Sequence, residues 1–148
     1  MHIKSESVAE HSFFVASIVI ALHQYYEFDR ERAVIMGLTH DWSEVFITDV
    51  PHNVKRNFPD VAAAIKKTEY KVYEEHFPTV AGHFKELEEG LSNEALIVLL
   101  ADVLSVLQYS TSEIKLGNDG YIREVLEESN RRIETLELQL KDAGVKEK

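Results

Sequence analysis

Leu96-Ile97-Val98-Leu99-Leu100-Ala101-Asp102-Val103-Leu104 is the run on which the fold turns. It is apolar on nearly every side of a helix, so it belongs inside a core, and its flanks extend it from about Glu94 to Leu116 with Ser92 or Asn93 as the cap. Downstream, Gly117-Asn118-Asp119-Gly120 reads as a turn, and Ile122, Val125, Ile133, Leu136 and Leu140 mark an amphipathic last helix over about 120–142. The tail after Ala143 is expected to fray.

Upstream, Gly90 suits the C-cap of a short piece from His83 to Glu89, and Pro78 closes the segment before it. Pro59 fits the first turn of a helix reaching His76, with Val61, Ile65, Tyr70, Val72 and Tyr73 on one face. Asp49-Val50-Pro51-His52 is expected to be a loop, because proline lacks a donor and pushes the residue before it out of helical conformation. A helix capped by Asp29 leads to His40-Asp41 and ends or bends there. The first helix starts at Ser5 or Ser7 and runs to about Tyr25. Sparse glycine and proline and apolar spacings of three and four make the chain all-α, a single domain over 1–148 of about six helices, its core at about 5–117.

Composition narrows the chemistry. With 148 residues, 45% hydrophobic and 28% charged, the chain can bury an ordinary core. It has no cysteine, which removes disulfides, thiolate nucleophiles and thiolate metal sites, so any metal must be held by nitrogen and oxygen. The net charge of −10, without a basic stripe, argues against a nucleic acid polymer as partner. A small phosphate ester stays open, since one divalent cation reverses the local field. Phe13 to Leu22 is too short for a membrane span and lacks a basic leader, so no membrane partner and a cytoplasmic location are expected.

An ionised carboxylate in apolar surroundings needs a cation, strong hydrogen bonds or a proton, so Asp102 should be buried and must be compensated. A structural ion pair and a metal serve equally well on that helix alone. His11 lies inside the first helix between Val8 and Phe13-Phe14, and His40-Asp41 ends the second. A lone histidine in such a setting is more often a packing residue than a ligand. Together, however, three helices bring two imidazoles and two carboxylates into apolar contexts. That set suits one divalent ion such as Mn, Co, Ni, Fe or Zn, and the charges balance.

The local wording goes further. Val8-Ala9-Glu10-His11-Ser12, the stretch His40-Asp41-Trp42-Ser43-Glu44 continuing to Asp49-Val50-Pro51, and Leu100-Ala101-Asp102-Val103-Leu104 fall in this order across roughly residues 5 to 117. This pattern resembles the HD phosphohydrolase superfamily and, within it, the YfbR-like 5′-deoxynucleotidases. The resemblance implies an HD-domain helical bundle, His11, His40, Asp41 and Asp102 as metal ligands, and Glu44 as the catalytic glutamate that orients or deprotonates the attacking water. It also implies that Asp49 contacts the nucleotide, at a sugar hydroxyl or the leaving oxygen. His52 and Lys55 follow in the same segment, Lys55 as a partner for phosphate, and Trp42 sits within the HD motif as a further substrate contact.

Members of that family carry an upstream helix with an Arg-Trp pair near phosphate and sugar. Ten residues precede His11 here and contain no such pair, so deoxy selectivity is not carried over; Lys4 is a partial substitute. The function expected is a metal-dependent 5′-nucleotidase acting on (deoxy)nucleoside monophosphates. Two rivals stand beside it: a dNTP triphosphohydrolase with the same ligands, and a non-catalytic nucleotide-binding or interaction module. The stripe of the last helix either covers the core or joins a second subunit, a homodimer being the expectation in that case.

Overall fold

The computed structural model describes residues 6–47, 50 and 52–148, and for His52 and Asn53 the backbone alone. The alternative start at Ser5, the substitute Lys4 and the nucleotide contact Asp49 therefore lie outside the described residues, as does the side chain of His52.

The fold is all-helical. Among the described residues eight helices follow in order: α1 (Val8–Leu22), α2 (Arg30–Thr39), α3 (Glu44–Ile47), α4 (His52–Asn57), α5 (Pro59–His76), α6 (Ala81–Glu89), α7 (Asn93–Lys115) and α8 (Tyr121–Asp142). The two beyond the sequence expectation are short. His52, expected in a loop, instead opens α4, and α3 is a single turn after the His40-Asp41 bend. Neither is long enough to show helical periodicity in sequence.

Local chemistry sets the ends that matter. Ser7 and Glu10 form a capping box: the Glu10 N–H donates to Ser7 Oγ at 3.2 Å, and the Ser7 N–H donates to Glu10 Oε2 at 2.9 Å. The box fixes the first turn of α1 immediately before His11. Asp29 caps α2 by accepting from Arg32 N at 3.1 Å. Gly90 closes α6 at φ 60°, a left-handed turn for which glycine carries no Cβ penalty.

Helix α7 is the centre of the bundle, packed by α1, α2, α6 and α8. Val15 and Val19 from α1, Ala33 and Met36 from α2, Ile97, Val98, Leu100 and Ala101 from α7, and Leu136 and Leu140 from α8 make one apolar core. Each large aliphatic side chain fully buried there is worth about 1.5–3 kcal/mol. By length and composition α7 could cross a membrane, but the bundle uses its apolarity as core. Arg32 binds α2 to α6 through Glu86 and to α7 through Glu94 at 3.3 Å.

Between α2 and α7 the chain builds α3–α6, of which α6 returns Leu87 to this core. Packing within α3–α6 is aromatic: Tyr73 stacks on Phe84 with ring centroids 4.1 Å apart, and Tyr70 meets Phe84 edge-on. The C-terminal tail does not fray. Val145 is buried in the core, Glu27 N–H donates to Lys146 O at 2.9 Å, and Lys148 N–H donates to Tyr25 O at 2.8 Å. One apolar side chain and a short backbone pairing are enough to hold it, and neither leaves a periodic signal.

Candidate metal centre and the cavity beside it

The centre forms where α1, the end of α2 and the middle of α7 meet. His40 caps the C-terminus of α2, and its Nδ1–H donates to Gly37 O at 2.8 Å. That bond selects the tautomer that leaves Nε2 with a lone pair. Nε2 is buried and lies 3.1 Å from Asp41 Oδ2, an ion pair when the imidazole is protonated. His11 turns Nε2 to the same point, 3.0 Å from Asp102 Oδ1 and 3.6 Å from Asp41 Oδ2, while Ser105 Oγ lies 3.3 Å from its Nδ1.

This set fits a divalent ion. One donor atom each from His11, His40 and Asp102 lies within 4.8 Å of the others, and Asp41 reaches both imidazoles. Two donors bound to one transition ion at about 2.0–2.2 Å are at most about 4.4 Å apart, so a closure of a few tenths of an ångström suffices. A buried imidazole nitrogen set against carboxylates, with its other nitrogen fixed on a backbone carbonyl, suits a metal ligand. All four residues expected from sequence are brought together.

The electrostatics agree. Burial opposes charge on His40, but Asp41 and Asp102 outweigh it and push its pKa up to about 9. Burial likewise opposes charge on His11, and Asp102 and Asp41 again prevail, raising it. Burial works against the charge of Asp41 too, yet His40, His11 and Lys55 hold its carboxyl below the usual range. The site wants positive charge among its carboxylates, and protons supply it when no cation does.

Asp102 departs from the sequence expectation, since its side chain is 35% exposed and not buried. The reason is a pair of cavities that meet at this residue. One, of ≈ 320 Å³, is bordered by His40, Asp41, Glu44, Lys55, Lys66, Glu69, Glu88 and Asp102 among others. The second, ≈ 560 Å³ and more open, runs between α7 and α8 past Tyr121, Arg131 and Arg132. Glu44, at the start of α3, and Lys55, on α4, thus share a cavity with three of the ligands. Trp42 does not border it; its ring packs edge-on against Phe77 at 5.1 Å.

Tyr73 is the residue that sequence reasoning missed. It read as part of an apolar stripe, but its hydroxyl holds the bend carrying the ligands: it donates to the carbonyls of Thr39 and His40 and accepts from Trp42 N–H at 3.1 Å. The ring is fully buried, and burial raises the phenol pKa. A tyrosine on a buried stripe must find a partner for its hydroxyl, and that was the available signal.

An all-helical bundle that gathers an isolated histidine, a His-Asp pair and a distant aspartate around one point defines the HD class of hydrolases. Comparison with known proteins narrows this. The family model described as 5′-deoxynucleotidase YfbR-like matches residues 1–145. A 5′-deoxynucleotidase of Vibrio atlanticus is 32% identical over 149 aligned positions, which cover 91% of this chain and 74% of that one. Another, from Pasteurella multocida, is 27% identical over 91% of this chain and 73% of its own. Among solved structures, a protein from Pyrococcus horikoshii OT3 superposes with a TM-score of 0.74 at 28% identity, covering 96% of this chain and 84% of that one. The chain belongs to the YfbR-like 5′-deoxynucleotidase family.

Proposed function

We propose that the protein is a divalent-metal-dependent 5′-nucleotidase that hydrolyses (deoxy)nucleoside monophosphates to a nucleoside and phosphate. The observation that carries this reading is the single cavity bordered by His40, Asp41 and Asp102 together with Glu44 and Lys55. The 5′-deoxynucleotidase names of its relatives support the substrate class. When bound, the ion, one of Mn, Co, Ni, Fe or Zn, supplies charge to the phosphoryl group and acidifies the attacking water.

Glu44 takes the proton of that water and aligns it for in-line attack. The water oxygen bonds to phosphorus, the ester bond to the 5′ oxygen breaks, and the leaving oxygen takes up a proton. Asp49 is assigned to a sugar hydroxyl or to that leaving oxygen by the family resemblance. Lys55 offsets negative charge on the phosphate. The substrate is a small nucleotide and the setting is the cytoplasm, with the chain's acidity working against longer polyanions.

The test strips the protein of metal, restores Mn, Co, Ni or Zn singly, and identifies products from dAMP, AMP and dATP by chromatography. Nucleoside and orthophosphate from the monophosphates are expected. Triphosphate released from dATP, or no turnover by folded and metal-loaded protein, overturns the reading.

A further inference from the structure

Ala62, Ile65, Lys66 and Glu69 recur at helical spacing on α5 and form one wall of the smaller cavity. From α6, Glu88 lies beside them, and Lys66 is committed to it at 3.1 Å. Glu69 is different. It is half-buried, borders the same space as Asp41 and Asp102, and makes no hydrogen bond or ion pair among the described residues. Burial, with Glu88 and Asp41 acting against Lys55 and Lys66, holds its carboxyl above the usual range.

A half-buried carboxyl that borders a cavity and has no hydrogen-bond partner among the described residues keeps acceptor capacity for a ligand. Phosphate is the wrong occupant for it, because a carboxylate repels a phosphate, and Lys55, the first cation acting on Glu69, acts on Asp41 as well. What remains of a nucleotide is neutral and rich in donors. The volume of ≈ 320 Å³ lies within the range of small-molecule sites.

We propose that Glu69 is a specificity-determining residue whose carboxyl accepts a hydrogen bond from the nucleoside part of the substrate, either a sugar hydroxyl or the exocyclic amine of the base. The inference rests on the nucleotidase reading above. It adds a contact from α5, a helix to which neither the family motif nor the metal ligands assign a role.

The experiment measures kcat and KM of the full, metal-loaded chain and of its Glu69→Ala and Glu69→Gln variants on dAMP, 2′,3′-dideoxy-AMP and dIMP. Glu69→Ala should raise KM for dAMP about 10- to 100-fold with kcat within about two-fold. It should also erase the wild-type preference for dAMP over one analogue: the dideoxy compound if the sugar is read, dIMP if the amine is. Glu69→Gln keeps volume and one acceptor oxygen, so it should recover part of the loss and serves if the alanine variant folds poorly. An unchanged KM, or an equal loss on all three substrates, overturns the role of Glu69 alone. A wild type that cleaves none of the three removes the nucleotidase reading, and this role with it.

Discussion

Two regions of the molecule meet at the candidate centre and are built on opposite principles. The bundle of α1, α2, α7 and α8 is close-packed and aliphatic, with Val15, Val19, Ala33, Ile97, Val98 and Leu136 all inaccessible to solvent. The segment from α3 to α6 buries little: α3 has no buried residue, and α5 buries only Val72 and Tyr73. Yet the first supplies the candidate ligands, with His40-Asp41 at its margin, and the second supplies Glu44, Lys55 and Glu69 to the cavity beside them. Holding an ion needs donors fixed to a few tenths of an ångström, which a rigid core provides. Handling a substrate needs polar groups around open space, and a lightly packed segment provides those.

The division can be broken most sharply at Asp102. Asp102→Ala should lose metal, measured by elemental analysis, and at least about 10⁴-fold in activity. Full metal content in that variant would mean that the core does not hold the ion. Glu44→Ala, across the boundary, should keep the metal and lose about 100- to 1,000-fold in kcat. Equal metal loss in both variants would erase the distinction.

Tyr73→Phe tests the joint between the regions. It takes a partner from the carbonyls of Thr39 and His40 and from the N–H of Trp42, of which Trp42 and Thr39 keep only their mutual 3.3 Å bond, and should cost about 1–3 kcal/mol in denaturant melts and about 10-fold in metal affinity. Stability lost with no change in affinity would make the phenol a packing element only. Acid should act on the core side as well. Metal must displace the proton that His40 holds up to about pH 9, so affinity should fall about ten-fold per unit as pH drops below that value. A flat titration between pH 9 and 7 would contradict it. The smallest effect is expected at the C-terminal edge of the core, at Val145→Ala, with about 1 kcal/mol lost in thermal melts and metal content and turnover unaltered.

Sequence carried the core side of this division well and the other side poorly. The long helices and the Gly90 cap are visible because repeated apolar spacing and a left-handed glycine are local signals. His11, His40, Asp41 and Asp102 stand out because each is a polar residue in an apolar context. Glu69 and Lys66 do not, since a charged residue on an amphipathic helix looks the same whether it faces solvent or a cavity. The exposure of Asp102 was hidden for a related reason: a cavity is made by the absence of neighbours, and no pattern in α7 records which partners α5 and α8 fail to supply. Tyr73 was legible as buried but not as a donor, because its partners are carbonyls more than thirty residues away.

The order of the helices along the chain has an evolutionary meaning. Because α3–α6 enter and leave the bundle as one continuous stretch between α2 and α7, they form a cassette that mutation can revise without touching His11 or Asp102. Such a plan lets a lineage trade one substrate for another while the candidate ligands keep their places, provided Tyr73 on α5 keeps its hold on the His40-Asp41 bend. An engineer can use the same seam, grafting between Ser43 and Ser92 a foreign stretch that supplies counterparts of Glu86, the α6 partner of Arg32, and of Tyr73, which holds the His40-Asp41 bend.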